Sequence, residues 1–253
     1  LVAKLLGVDF KRARDIVGEE ERVKPDDELR RRLKGAVVKT EDDCEVRSVK
    51  WEWGIAGLGN AAISHLIKRR RFTELEVERL ESHYGVKQGY TGRWMKRILF
   101  PYHVERLGLV GWTGRTFLGA PVKYLAFPDR SVKKILFNGD KAAAGGRTLY
   151  VLEGPIDALK VDLARFSAGD RAVALAGLNW TANQISALYQ LSRKYDRLAV
   201  WFDPGAFADA MQLQGRLRAC GKPIDLIETP AGYEDAGAMP TKEINRFLKS
   251  RLK

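Results

Sequence analysis

In the second half of this sequence, carboxylates recur where apolar runs end. Leu149-Tyr150-Val151-Leu152 leads into Glu153, and Gly154-Pro155-Ile156-Asp157 follows at once. Ala199-Val200-Trp201-Phe202 leads into Asp203, with Pro204 and Gly205 behind it, and Asp235 lies beyond the apolar run at 224–227. Hard oxygen ligands drawn from separate strand ends suit Mg²⁺ or Mn²⁺, which bind through a few carboxylates together with substrate phosphates. Such ions polarise a phosphate and offset the charge that develops during nucleotidyl transfer. Each residue taken singly also has a structural reading, in which Asp157 supports a helix start through the dipole and Glu153 is an exposed strand-end residue. Recurrence at three strand ends favours the metal-binding reading.

The elements that must position these groups follow from pattern. Short β-rich runs at 148–152, 172–176, 198–202 and 224–227 alternate with helical stretches at 157–167, 181–194, 207–219 and 241–252. Strands separated by helices of crossover length imply an α/β region with a mostly parallel sheet, whose functional groups gather outside the carboxyl ends of the strands. The character of the pattern changes near residue 147. Upstream the sequence is less regular and reads as α+β, with an amphipathic segment at 1–17, a charged stretch at 19–34 and an acidic patch at 41–43. Helices are expected at 63–71 and 74–84, with Thr73 as N-cap and Gly85 as stop. Short strands are expected at 96–101, 108–113 and 123–125, each punctuated by basic residues. The expected division is 1–146 and 147–253.

Composition narrows the partners. The 253 residues are 45% hydrophobic, and 44 Lys and Arg against 32 Asp and Glu give a formal charge of +12, which favours a polyanionic partner such as nucleic acid. The only cysteines, Cys44 and Cys220, form neither a CxxC pair nor a disulfide framework, so a reduced, cytoplasmic setting is expected and a structural zinc site is not. No apolar run reaches the roughly 18 residues of a membrane helix, so no membrane partner is expected. The chain opens on Leu1 rather than Met, as expected of a piece of a longer protein.

Glu153-Gly154-Pro155-Ile156-Asp157 matches the EGxxD motif that ends a strand in the TOPRIM fold, shared by DnaG-type primases, topoisomerases and some nucleases. Upstream segments make the resemblance specific to primases. Arg97-Ile98-Leu99-Phe100-Pro101 resembles the family's RIxFPI strand, Gly111-Trp112-Thr113-Gly114-Arg115 its GxxGR hairpin, and Pro121-Val122-Lys123-Tyr124-Leu125 its PKYLN segment with a Val inserted. Ser64 to Thr73, with its basic turn, and Phe137-Asn138 also resemble family segments. The resemblance implies a DNA primase core that makes short RNA primers on single-stranded DNA from ribonucleoside triphosphates. It implies metal ligands at Glu153, Asp203 and Asp235, with Asp157 in an outer position, and a template and nucleotide groove lined by Arg97, Arg115 and Lys123. It further implies a replicative helicase as partner and a zinc-binding domain, separate or deleted, with residues 1–17 similar to the helical tail that follows such a domain.

Two departures from the family pattern stand out. The usual D-x-D is Asp203-Pro204-Gly205 here, and the later acidic motif is Glu234-Asp235-Ala236-Gly237 with glycine in place of a second acid. Weak metal affinity, substitution by Asp209 or Glu234, or a second ion arriving only with nucleotide would each accommodate the loss. The shortened motifs suggest a phage or mobile-element form. A TOPRIM nuclease and a degenerate core that only binds single-stranded DNA or a helicase are the rival readings; no P-loop and no catalytic-tyrosine domain accompany the motif.

Overall fold

Apolar side chains alternate along each strand of the C-terminal half, and that alternation sets the layers. The computed structural model describes residues 45–128, 132–165 and 169–251; the segments read at 1–17, 19–34 and 41–43 lie outside them. Four parallel strands, β6 (Gly146–Leu152), β7 (Arg171–Ala174), β8 (Tyr195–Trp201) and β9 (Ile224–Leu226), form one sheet in the order β7-β6-β8-β9. Tyr150, Leu152, Ala172, Ala199 and Trp201 face one core, whereas Leu149, Val151, Val173, Leu198 and Val200 face a second. Both faces are therefore dry, which is why the strands read as continuous apolar runs.

Helices cover both faces: α4 (Pro155–Arg165) and α7 (Thr241–Arg251) contribute to the first core, α5 (Ala182–Ser192) and α6 (Phe207–Leu217) to the second. Pro155 opens α4, where its missing N–H costs nothing. Thr181 caps α5 with a reciprocal capping box to Gln184.

Upstream, β1 (Ile55–Ala56), β2 (Lys87–Gly89), β3 (Arg97–Val104), β4 (Gly108–Thr116) and β5 (Tyr124–Phe127) make an antiparallel sheet in chain order. Helices α1 (Asn60–Lys68) and α2 (Glu74–Ser82) precede β2, and Thr73 caps α2 through a capping box with Glu76. The short helix α3 (Gly139–Ala142) leads into β6. Helix α1 begins three residues earlier than the pattern indicated and ends at Lys68 rather than at residue 71. Strands β1 and β2 are too short to leave a periodic signature and were not expected.

The two sheets share a core. Ile98, Phe100 and Tyr102 of β3 belong to the same buried cluster as Tyr150, Leu152 and Ile156. A polar tie reinforces it: the Tyr84 hydroxyl, just beyond α2, donates to Asp162 Oδ2 at 2.6 Å, and Asp162 Oδ1 accepts from the Ala172 amide at 2.7 Å. Asp162 is fully buried, so its hydrogen bonds stand in for the water it has lost. Among the described residues no helix is long and apolar enough to cross a membrane. Tyr84→Phe removes one of these hydrogen bonds without changing shape, and urea unfolding should show a loss of about 1–3 kcal/mol.

Candidate metal and nucleotide site

In the parallel sheet β6 and β8 are neighbours, with Leu152 opposite Trp201. The chain leaves β6 for one side of the sheet and returns to the other, so their carboxyl ends flank the switch point where such sheets place ligands. Glu153 and Asp203 emerge there. Asp157 comes from the first turn of α4, and Asp235 from the loop that follows β9.

Oxygens of Asp157, Asp203 and Asp235 all lie within 4.8 Å of one another, and these three are the group of acids brought together in this way among the described residues. Glu153 is not in that group, although it lines the same cavity. Asp157, expected in an outer position, lies in the cluster with Asp203 and Asp235, and Glu153 lines the cavity beside it. A helix start turns Asp157 back toward the strand ends, and sequence spacing does not reveal that direction.

Two glycines make room for this carboxylate. A Cβ on Gly154 would lie 2.7 Å from Asp157 Oδ2, and one on Gly237 would lie 2.5 Å from Asp157 Oδ1. Gly154 is therefore required by close approach, not by a left-handed turn. The Gly237 amide donates to Asp157 Oδ1 at 2.8 Å. A side chain at position 237 would require the Asp157 carboxylate to move from where it stands. Gly205 differs: no atom lies within 4 Å of the Cβ it would carry, and its backbone lies outside the left-handed region.

Burial first, and neighbouring carboxylates second, raise the proton affinity of Asp157, Asp203 and Glu153. Burial, then Asp235 and Asp203, push the Asp157 carboxyl up to about 8, against the opposing pull of the Gly237 amide. Burial followed by Asp235 raises Asp203, while Lys123 and Arg115 lower it. Glu153 is raised by burial first, then by Asp203 and Asp209, with Lys123 opposing. Asp235 Oδ1 is buried without a hydrogen-bond partner. A buried orphan oxygen inside a cluster of carboxylates fits a hard divalent cation.

Cations face these acids across a cavity of about 530 Å³. Arg115, on β4, donates to the Tyr124 hydroxyl at 2.7 Å and lies over that ring. Lys123, exposed, precedes β5. Two further cations escaped the sequence reading. Arg70 approaches Asp235 at 3.7 Å, and Arg93 stacks on Trp94 and lines the cavity. Four consecutive cations, Lys68 to Arg71, leave Arg70 unmarked in the sequence, and no motif marks Arg93.

Arg97 corrects an expectation. Its side chain is only 6% exposed and does not line the cavity. It donates to the carbonyls of Arg93, Gly114, Val122 and Lys123. Its guanidinium fastens the Val122–Lys123 backbone and so positions Lys123 from beneath. Asp209 reaches the site only as a charge felt by Glu153, and Glu234 is exposed.

No family model matches the chain. It is 31% identical over 186 residues to the DNA primase of Synechococcus elongatus, a match that covers 70% of this chain and 26% of that protein. The chain spans about a quarter of the length of the curated relatives it matches, among them the DNA primase of Staphylococcus aureus, 30% identical over 154 residues, covering 57% of this chain and 24% of that protein. Among solved structures, the DnaG primase catalytic domain bound to ssDNA superposes with a TM-score of 0.58 at 20% identity, over 76% of this chain and 71% of that one. The primase fragment of the bacteriophage T7 primase-helicase protein gives 0.57 at 15% identity, over 83% and 81%.

The raised Asp157 carboxyl predicts a pH dependence. Its proton stabilises the metal-free fold, so that contribution is complete below about pH 4 and is lost as pH rises through about 8. Melting temperature in chelator should fall across that window, Asp157→Asn should flatten the fall, and Mg²⁺ should restore most stability at its upper end. With its antiparallel sheet, its TOPRIM sheet and its similarity to bacterial primases, the chain has a DnaG-type primase core.

Proposed function

We propose that this chain is the polymerising core of a DNA primase, joining ribonucleotides on a single-stranded DNA template with Mg²⁺ or Mn²⁺ held by Asp157, Asp203 and Asp235. The observation that carries the proposal is the opposition, across one cavity, of this acidic cluster and the cations Arg93, Arg115 and Lys123. Residues 1–146 would serve chiefly template binding, and 147–253 metal binding. Similarity to a DnaG domain bound to ssDNA and to a primase-helicase fragment supports single-stranded DNA and a replicative helicase as partners. The zinc-binding domain rests on the family resemblance.

When bound, a divalent ion polarises the α-phosphate and offsets transition-state charge. The residues supply the rest. Arg115, with its guanidinium braced by Tyr124, suits bidentate contact with a phosphate, and Lys123 adds a point charge beside it. A primer 3′-oxygen forms a bond to the α-phosphorus while the bond to the bridging oxygen breaks, and pyrophosphate leaves. Glu153 stands beside the metal ligands with a raised proton affinity, which suits it to take the 3′-hydroxyl proton.

A DNA template, labelled ribonucleotides and Mn²⁺ test the reading. Short RNA is expected; template fragments would indicate a TOPRIM nuclease, and no product a core that only binds DNA or a helicase. Asp203→Asn and Asp235→Asn should each lower primer synthesis by about 10²-fold or more. Glu153→Gln should slow synthesis yet retain Mn²⁺ affinity by paramagnetic resonance. Equal loss of Mn²⁺ affinity in Glu153→Gln and Asp235→Asn would return Glu153 to the metal ligands.

Gly205 and Gly237 separate the two missing acids. Gly205→Asp has free space and should lower the Mg²⁺ needed for half-maximal synthesis with little change in melting temperature. Gly237→Asp should destabilise the fold and weaken metal binding, because its Cβ displaces Asp157.

A further inference from the structure

Trp53 has 87% of its surface exposed, the most of any large hydrophobic side chain among the described residues. A single exposed apolar residue is ordinary on a protein surface. The setting of this one is not. Its turn is pinned to the edge of the antiparallel sheet: the Tyr90 amide donates to Gly54 O at 2.8 Å, the Tyr90 hydroxyl to Gly57 O at 2.7 Å, and Thr91 Oγ1 to Trp53 O at 3.4 Å. Gly54 adopts a φ of 77°, and a Cβ there would lie 1.9 Å from Thr91 Oγ1. The backbone that presents the indole is thus fixed in advance, so ordering costs little when a ligand covers the ring.

Aromatic and cationic groups interleave around the turn. Tyr90 is 43% exposed, and Lys50, Arg93 and Lys96 are exposed along the same short segments. Glu52, next to Trp53, accepts from Trp94 Nε1 at 2.8 Å and pairs with Arg93 at 3.4 Å, so its charge is engaged. Arg93 also lines the cavity. It thereby joins the exposed turn to the acidic site by contact. Flat aromatic faces beside cations suit single-stranded nucleic acid, whose unpaired bases stack while its phosphates pair with Lys and Arg.

We infer that Trp53 is a stacking platform for one base of the template strand outside the cavity, with Arg93 holding the backbone between that base and the active site. The inference rests on the primase reading, which supplies the template. Stacking and charge pairing leave different signatures. Stacking changes affinity without changing counterion release, whereas loss of a phosphate contact flattens the salt dependence by about 0.7 per contact on single strands.

The test uses the full chain, chelator and fluorescent single-stranded oligothymidylates, with affinity measured by anisotropy at several salt concentrations. Trp53→Ala should weaken binding by about tenfold with an unchanged salt slope, and Trp53→Phe should recover most of the loss. Arg93→Gln should flatten the slope by about one contact. An abasic site scanned along the oligonucleotide should reveal one position that weakens wild type and leaves Trp53→Ala unaffected. Because the indole is exposed, melting temperatures of both Trp53 variants should match wild type. Affinity of Trp53→Ala within twofold of wild type, a changed slope, or the absence of such an abasic position would overturn the assignment. Failure of wild type to bind any single strand would instead overturn the primase reading itself.

Discussion

Three aspartates held within 4.8 Å of one another repel, and the surrounding structure is arranged to keep them there. Two like charges at such a distance destabilise each other strongly where water is partly excluded. The fold answers in several ways. One carboxyl, Asp157, takes up a proton more readily; a backbone amide from Gly237 donates to it; Arg70 approaches Asp235; Lys123 and Arg115 pull against the raised Asp203. Each offset is partial, and Asp235 Oδ1 still has no hydrogen-bond partner. A cluster stabilised only in part by its own protein is the kind that gains most from a cation, which is the basis of the proposed metal site.

Holding the acids in place requires that strand ends and cationic wall not drift apart. The shared core of β3 and β6 does this with apolar side chains, and the Tyr84–Asp162 hydrogen bond does it with a buried charge. Arg97 extends the same logic to the wall. Four carbonyl acceptors surround its guanidinium, two of them in the segment that carries Lys123. A guanidinium held among carbonyls thus decides where another cation stands.

The parallel half was legible in the sequence because both-faced burial writes long apolar runs, and the residue after each run must lie at a strand end. The carboxylates could be placed there without coordinates. What pattern did not reveal was direction. Asp157 and Glu153 lie four positions apart on either side of a strand-to-helix turn, and only the turn's geometry decides which one joins Asp203 and Asp235. Charge carries no label of burial either. Arg97 and Arg115 sit on adjacent antiparallel strands in motifs of equal apparent weight, yet one is sealed among carbonyls and the other braced by a tyrosine at the cavity wall. Strands β1 and β2 were invisible because strands of two and three residues have no period.

The two missing acids looked alike in the sequence and differ in physical origin. At position 237 a side chain conflicts with the cluster as it stands: the amide that donates to Asp157 Oδ1 lies at hydrogen-bonding distance, and a Cβ there would push that carboxylate away. At position 205 nothing forbids one. The first glycine is therefore part of how Asp157 is held, since losing it would cost the hydrogen bond that partly offsets burial of that carboxyl. The second leaves the Asp203 end of the site with fewer negative charges, where Lys123 already contributes positive charge to both Glu153 and Asp203. An added acid there would have to compete with that lysine as well as with its neighbours. Charge around the acidic cluster is thereby shaped by close packing on one side and by an exposed cation on the other, so the same glycine substitution has opposite meaning at the two positions.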